Sequence, residues 1–550
     1  MPFFRPSRCS VTPPRPSLAN GLGFRRAAGM LGFALGALLV LLSGSLAAAT
    51  GRYRLTWRED PASTMVIGFE HQSGSAVRVV YGEEDGGRNP AAYRYTAAPS
   101  RTINHAGMRN VFVRLGSLRP GTVYYFLVVD NEGVSNRMMF ETPHATPDKP
   151  LSIIVGSDSR NNREVARAAN RLVGKIRPHF VMFGGDMTAS DTASEWQAWF
   201  DDWQLTISSD GRLTPIVPAR GNHERANESI YNLFDVSNPN IYYTLDFAGG
   251  LLRTYTLNTL FPAGGDQLSW LENDLARCKT MWKIAQYHHA MRPHTSTKPE
   301  RDELITLWAT RFSRYGVDLA CESDAHTVKQ TWPIRPSREP GSAEGFIRDD
   351  RQGTVYVGEG CWGAPLRPND DDKPWTRASG RFNQFKWVWV DLRNIQVRTV
   401  MIDRSTGAKE ENTNANRFRS PPGIFYWEAD NGGDVLIIPR RPTVSPAAPP
   451  QGPTMTGGRT TPIIQSTAQL PVLTRDANNR IRVAFQMPGA GVPYLTIQDE
   501  NLNVLWRKEL SVRGPGPYAE FVQLPALPRV GRMEMIVRGA DRIVAKYEIR

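Results

Sequence analysis

Residues 151–160 read LSIIVGSDSR, a continuous apolar run that ends in a glycine and a cluster of polar side chains. A second run of this kind, FVMFGGD, follows at 180–186, after a stretch with the apolar spacing of a helix. Buried parallel strands have such continuous apolar runs, and helices connect them. The two stretches therefore predict an α/β domain in which polar residues gather where the strands end.

The same alternation continues along the chain. Tryptophans at helical spacing predict a helix, and the apolar run TPIVPARGNHE follows it at 214–224. Two further apolar runs with polar ends are WKIAQYHHA at 282–290 and GVDLACESDAH at 316–326. An amphipathic helix is predicted at 267–281, QLSWLENDLARCKTM. We expect this domain to extend over 151–440.

All-β patterns flank this domain. Short alternating runs separated by glycine and proline turns fill residues 50–150, and a comparable set fills 470–550. The run LGSLRPGTVYYFLV at 115–128 resembles the strand-turn-strand signature of a fibronectin type III domain. Residues 441–469 are rich in proline and predict a linker before the C-terminal β-sandwich-like module.

Residues 1–49 have the pattern of a signal peptide, which predicts a secreted or periplasmic protein. A basic segment ends at Arg25 and Arg26, an apolar run covers Met30 to Leu42, and small residues continue to Ala49. An uncleaved membrane anchor is the alternative, because the run from residue 27 is long enough to span a bilayer. After signal cleavage we expect no stable membrane insertion.

The charge of the chain argues against a nucleic-acid partner. The formal net charge is +12, but without the five arginines of residues 1–49 it falls to +7. No dense run of lysine and arginine occurs in the remainder, so attraction to anions is weak and no nucleic acid is expected as a partner.

Polar clusters stand at or just after the predicted strands. The candidate residues are Asp158, Arg160, Asp186, Asn222, His223, His288, His289, His294, Asp324 and His326. Taken singly, an aspartate after a strand commonly caps a helix, and a lone histidine is commonly a hydrogen-bonded interior residue. Together, carboxylate, imidazole and amide donors suit Fe, Mn or Zn, and one carboxylate can bridge two ions. Their concentration predicts a two-metal site.

The order of these residues resembles the five motifs of the calcineurin-like metallophosphoesterases, and in particular their purple acid phosphatase-like branch. The matching positions are Asp158 in SDSR, Asp186 in GGD, Asn222 and His223 in GNHE, His288 in YHHAM, and Asp324 with His326. The resemblance covers residues 51–405. It implies a core in which two sheets form an αββα sandwich, flanked by the N-terminal fibronectin-like β-sandwich and followed by the C-terminal all-β module.

The same resemblance implies two divalent or trivalent metal ions and a role for each residue. Asp158, Asp186 and His326 would hold the first ion, and Asp186, Asn222, His288 and Asp324 the second. His223 would be the catalytic acid, and Arg160, His289 and His294 would be candidate substrate-binding residues. His289 is also the alternative to His288 as a ligand.

Two positions depart from the family pattern. Purple acid phosphatases carry a metal-binding tyrosine three residues after the bridging aspartate, where this chain has Ala189. Asp324 replaces the first histidine of the family's last His-x-His motif. An oxygen ligand at that point shifts the preference of the site toward harder ions such as Mn.

These observations predict a metal-dependent phosphoesterase that hydrolyses small phosphomonoesters, acid phosphatase-like, through a hydroxide activated by two metal ions. Two alternatives stay open. One is a phosphodiesterase or nucleotide hydrolase of the same superfamily, and the other is a non-catalytic secreted binding protein with a degenerate metal site. The sequence leaves the natural substrate, the metal and the oligomeric state open.

Overall fold

The structure is a computed structural model that describes residues 49–430 and 433–441 and, within 472–549, the β-strands alone. The predicted signal peptide and nearly all of the predicted linker lie outside the described residues. In the part of the chain that is described, no helix is long and apolar enough to cross a membrane.

Two antiparallel sheets of four strands each form the N-terminal region. The strands are β1 (Thr50–Thr56), β2 (Met65–His71), β3 (Arg78–Gly82), β4 (Tyr95–Ala97), β5 (Arg101–His105), β6 (Met108–Leu115), β7 (Val123–Val129) and β8 (Met138–Glu141). The sheet orders are β1-β2-β6-β5 and β4-β3-β7-β8. Leu55 and Ile67 from one sheet share a core with Val79 and Phe126 from the other. This is the two-sheet arrangement that alternating strands favour, and its assignment to the fibronectin type III family stays a prediction.

The central region alternates strands and helices. Its elements begin with β9 (Leu151–Gly156), α1 (Arg163–Ile176), β10 (Phe180–Phe183), α2 (Ala193–Trp203), β11 (Ile216–Pro218), α3 (Asn227–Phe234), β12 (Tyr243–Phe247), β13 (Leu252–Thr256), α4 (Gly265–Arg277) and β14 (Trp282–His289). They continue with α5 (Asp302–Leu304), a π-helical stretch (Ile305–Ala309), α6 (Thr310–Tyr315), β15 (Leu319–Ser323), β16 (Val328–Thr331), β17 (Ile334–Pro336), β18 (Phe346–Arg348), β19 (Val355–Gly358), β20 (Thr376–Gly380), β21 (Gln384–Val390), β22 (Asn394–Met401) and β23 (Val435–Pro439).

These strands form two mixed sheets with parallel centres. The first has the order β11-β10-β9-β21-β22-β23, and the second has the order β12-β13-β14-β15-β19-β16-β20. Strands β9, β10 and β11 run parallel in the first sheet, as do β13, β14, β15 and β19 in the second. The carboxyl ends of parallel strands lie at one edge of each sheet, which is where the polar clusters of the sequence fall.

Side chains on β14 and the neighbouring strands point alternately to the two faces of the second sheet, and each face packs against a different core. Ile284 and Leu319 point to the core shared with the first sheet, whereas Tyr287 and Tyr356 point to a second core. Side chains of α4 and α6, including Leu271 and Phe312, complete that second core. On the far side of the first sheet, α1 and α2 supply further core residues. The result is the αββα sandwich that the sequence predicts.

The C-terminal segment contains seven strands, in agreement with the all-β pattern of its sequence. They are β24 (Val472–Leu473), β25 (Arg480–Met487), β26 (Tyr494–Gln498), β27 (Val504–Glu509), β28 (Gly516–Gln523), β29 (Met533–Gly539) and β30 (Arg542–Ile549). Five of them form a sheet of order β24-β30-β29-β26-β27, and β25 pairs with β28.

A buried carboxylate joins the N-terminal region to the central domain. Asp235, directly after α3, has no exposed side-chain surface and pairs with Arg58, Arg101 and Arg114 at 3.3, 3.1 and 2.8 Å. Arg54, also buried, donates to the Leu233 carbonyl at 2.7 Å. All four arginines belong to the N-terminal region. The turn that ends α3 in the central domain therefore anchors the N-terminal region to that domain.

Candidate metal centre

The candidate side chains lie at or just after the carboxyl ends of strands from both sheets. Asp158 follows β9, Asp186 follows β10, and Asn222 follows β11 in the first sheet. His288 lies at the end of β14, and Asp324 directly follows β15 in the second sheet. The site therefore lies where the two sheets meet at their carboxyl edges.

One group of potential ligands consists of Asp158, Asp186 and His326, whose donor atoms all lie within 4.8 Å of one another. His326 Nε2 is 3.2 Å from Asp158 Oδ1. The other ring nitrogen, Nδ1, is 2.8 Å from the Pro365 carbonyl, which can only accept a hydrogen bond. The proton therefore resides on Nδ1, and the Nε2 lone pair faces the carboxylates, as a metal-ligating histidine requires.

A second group surrounds His288 in the same way. His288 Nε2 lies 3.0 Å from Asn222 Oδ1, 3.3 Å from Asp186 Oδ1 and 3.7 Å from Asp324 Oδ1. Nδ1 is 3.0 Å from the Gly184 carbonyl and donates its proton there. Asp186 borders both groups, so its carboxylate occupies the position that a bridging ligand needs.

His289 also reaches the second group, together with His288 and Asp324. Its Nδ1 is buried without a hydrogen-bond partner among the described residues. Burial and the positive charge of His288 lower the pKa of His289 to about 3, so the ring is neutral at physiological pH. A neutral imidazole with a free nitrogen can bind a metal ion or donate to a ligand.

The backbone of the site is held in an uncommon conformation. Asp158, Asp186, Asp324 and His326 all have positive φ angles, of 59°, 56°, 68° and 54°. Non-glycine residues adopt this region at a cost, and such residues concentrate at functional sites.

A close approach between two turns explains the glycine that precedes Asn222. A Cβ atom on Gly221 would lie 2.2 Å from Asp186 Oδ1 and 2.3 Å from its backbone nitrogen. The GGD turn and the GNHE turn therefore touch through backbone atoms, and the bridging carboxylate lies in this contact.

Glu224 connects the same two turns through hydrogen bonds to their backbone. Its buried carboxylate accepts hydrogen bonds from the backbone nitrogens of Asp186, Met187 and Gly221 at 2.9, 2.7 and 2.7 Å. Burial and the nearby charge of Asp186 raise the pKa of Glu224 to about 7. The sequence contained Glu224 within GNHE, but its role as a brace depends on contacts made 38 residues away.

The charge balance of the site suits cations. Burial lowers the pKa of His288, but Asp186, Asp158 and Asp324 outweigh this effect and raise it to about 10. The raised pKa of His288 therefore reflects the negative charge that the three carboxylates place around its ring. Three carboxylates, two imidazoles and an amide oxygen make a hard-to-borderline donor set, which fits Fe, Mn or Zn.

His223 lies at the mouth of the site, with 29% of its side chain exposed. Its Nδ1 donates to the carbonyl of Ala189, the residue that stands in place of the family's tyrosine. Nε2 lies 3.8 Å from Asp186 Oδ2. The carbonyl of Ala189 therefore orients the imidazole, although its side chain offers no ligand.

Two cations border the two ligand groups. Arg160 Nε donates to Asp186 Oδ2 at 3.1 Å, and its Nη2 lies 3.3 Å from His326 Nε2. Lys298 Nζ donates to Asp324 Oδ1. Arg160 was recognisable beside the first motif, whereas Lys298 lies in a stretch without any motif, TSTKPE, and sequence reasoning missed it.

His294 has a different environment. Its ring is fully buried, Nε2 lies 2.7 Å from Thr376 Oγ1, and the ring packs edge-on against Trp375. The backbone nitrogen of His294 donates to Glu359 at 3.1 Å. Its Nδ1 is buried without a hydrogen-bond partner among the described residues, and the assignment of His294 as a substrate-binding residue stays a prediction.

Comparison with known proteins gives the same picture. Residues 151–328 match the family model of the calcineurin-like phosphoesterases. Purple acid phosphatase 21 of Arabidopsis thaliana is 26% identical over 268 residues, which are 44% of this chain and 56% of that protein. The probable purple acid phosphatase 20 of the same plant is 24% identical over 289 residues, or 48% and 66% of the two chains. The chain thus spans about half to two thirds of the length of these relatives.

A solved structure shares the fold. The purple acid phosphatase from yellow lupin (Lupinus luteus) seeds superposes with a TM-score of 0.57 at 15% identity, over 72% of this chain and 75% of that one. Family match, fold and the ordered ligand groups agree with one another. The central region therefore matches the calcineurin-like phosphoesterase family over residues 151–328, and it is similar in sequence and fold to the purple acid phosphatases.

Proposed function

We propose that the chain is a metal-dependent phosphatase that hydrolyses small phosphomonoesters, similar to the acid phosphatases. The observation that supports this proposal is the convergence of two ligand groups on Asp186, with Nδ1 of His288 and of His326 bonded to a backbone carbonyl and Nε2 of each ring facing the carboxylates. The signal-peptide pattern of residues 1–49 supports a secreted or periplasmic location.

In this proposal each ligand group holds one ion. Asp158, Asp186 and His326 would hold the first, and Asp186, Asn222, His288 and Asp324 would hold the second. When bound, such ions polarise a phosphate ester and activate the attacking water. The chain itself supplies buried carboxylates that concentrate charge at the site and carbonyls that orient the imidazoles.

His223 would act as the acid. Hydrolysis forms a bond between the water oxygen and phosphorus and breaks the ester bond, so the departing alkoxide needs a proton. His223 is partly exposed at the mouth, and with Nδ1 fixed on the Ala189 carbonyl, a protonated Nε2 can supply it. Arg160 and His289 border the ligand groups and would contact the phosphate.

The test is hydrolysis of p-nitrophenyl phosphate by the full chain, before and after chelation, with Mn, Zn or Fe added back at several pH values. We expect activity that chelation removes and one of the ions restores. The control is Asp186→Asn, which should bind neither ion and lack activity, because its carboxylate borders both groups. Turnover unaffected by chelation would contradict the proposal, and absence of turnover with every ion would favour a diesterase or a binding protein.

A further inference from the structure

Lys298 is turned inward from an exposed segment. Its neighbours Ser296, Thr297, Pro299 and Glu300 are exposed, but the Lys298 side chain keeps only 18% of its surface accessible. Lysine ammonium groups usually extend into water. This one donates to Asp324 Oδ1, at the edge of the second ligand group.

The segment that carries Lys298 is fixed at several points. Asp370 accepts from the backbone nitrogen and the hydroxyl of Ser296 at 2.9 and 3.0 Å. Lys373 Nζ donates to Glu300 at 2.9 Å on the other side of Lys298. The segment is therefore held in place on both sides of Lys298, so the lysine stem starts from a fixed point beside Asp324.

Lys298 and Arg160 border different ligand groups. Arg160 contacts Asp186 and His326, whereas Lys298 contacts Asp324. A phosphate held by both groups would thus have a cation on either side. The guanidinium is a fixed fork, but an ammonium on a four-carbon stem can leave Asp324 for a nearby oxygen.

We propose that Lys298 binds a non-bridging oxygen of the substrate phosphate and makes the site selective for phosphomonoesters over phosphodiesters. The inference rests on the proposed function. At neutral pH a monoester carries close to two negative charges, so a second cation has a charge to pair with. A diester carries one charge, and its second ester group takes the place of an oxygen that the ammonium could contact.

The experiment compares Lys298→Gln and Lys298→Arg with the wild type. Binding of inorganic phosphate to the metal-loaded full chain is measured by calorimetry, and kcat/KM is measured for p-nitrophenyl phosphate and bis(p-nitrophenyl) phosphate. We expect Lys298→Gln to bind phosphate about tenfold more weakly and to lose about tenfold in kcat/KM for the monoester, but about threefold or less for the diester. Lys298→Arg should recover most of the phosphate affinity.

Two further measurements keep the result unambiguous. Metal content should be unchanged in both variants, and Lys149→Gln, an exposed lysine with 55% of its side chain accessible, serves as the matched control. Unchanged phosphate affinity, equal losses for both esters or loss of metal in Lys298→Gln would each overturn the inference. Because phosphate binding needs no turnover, a wild type inactive on both esters would contradict the proposed function alone.

Discussion

At the scale of single residues, the two departures from the family pattern each have a local partner. Ala189 offers no side-chain ligand, but its carbonyl orients His223. Asp324 brings an additional negative charge, and the ammonium of Lys298 lies against it. At both positions, the residue that departs from the family pattern therefore contacts a second residue of the site.

His223→Ala tests the assignment of the acid. The variant should keep both ions, because the side chain of His223 is absent from both ligand groups. Turnover should fall by about 10²–10⁴-fold, the usual contribution of a positioned acid or base. The measurements are kcat and metal content. His105→Gln, in the N-terminal region, is the control and should behave as the wild type; a wild-type rate in His223→Ala would remove that residue from the mechanism.

The positions of the motif residues could be predicted from the sequence, but the residues that hold them in place could not. Asp158, Asp186 and His288 follow apolar runs, so their positions at a sheet edge were predictable, and the structure brings them together. Glu224 and Lys298 act through contacts with turns distant in sequence, and no local pattern encodes such contacts. The positive φ angles of the ligands likewise depend on the packing of the turns.

At the scale of elements, long apolar strands were predictable and short polar ones were not. The run WKIAQYHHA predicted a strand, and the structure has β14 over Trp282–His289. Strands β16, with VKQT, and β20, with TRASG, lack an alternating apolar pattern. They pair with each other, and β16 also pairs with β19, so tertiary contacts and not local preference create them.

Lys386 in β21 makes a prediction about pH. It is fully buried, its Nζ donates to Thr399 Oγ1 at 3.0 Å, and burial lowers its pKa to about 7. Between pH 7 and its ordinary value of 10.5, the unfolded chain binds a proton that the folded chain lacks. The free energy of unfolding should therefore rise with pH in this window.

Lys386→Met removes this titration while conserving most of the side-chain volume. We expect the stability of the variant relative to the wild type to be greatest at pH 7 and to fall by about 3 kcal/mol as the pH rises to 9.5. Urea denaturation at several pH values measures it. A difference independent of pH would show that Lys386 stays protonated in the folded chain.

At the scale of the whole molecule, the N-terminal region is anchored to the central domain through a carboxylate buried in their contact. Asp235 pairs with three arginines and is itself inaccessible to water. Asp201 pairs with Arg52 across the same contact but keeps 55% of its side chain exposed. Buried and exposed ion pairs have different energetic consequences when one partner is removed.

Asp235→Asn should destabilise the protein by about 3 kcal/mol, because three arginines lose the carboxylate that compensates them. Asp201→Asn should cost about 1 kcal/mol or less, since an exposed pair is screened by water. The midpoints of urea denaturation compare the two variants with the wild type. Equal shifts for both would mean that Asp235 does not act as an anchor.

The Asp235 anchor also bears on how such proteins can be recombined. Its three arginines come from β5, β6 and the segment after β1, so they are scattered through the N-terminal sequence. A graft of the central domain onto another β-sandwich would leave the carboxylate without its cations. The two regions therefore have to be exchanged together, and a functional chimera needs its junction outside this pair of regions.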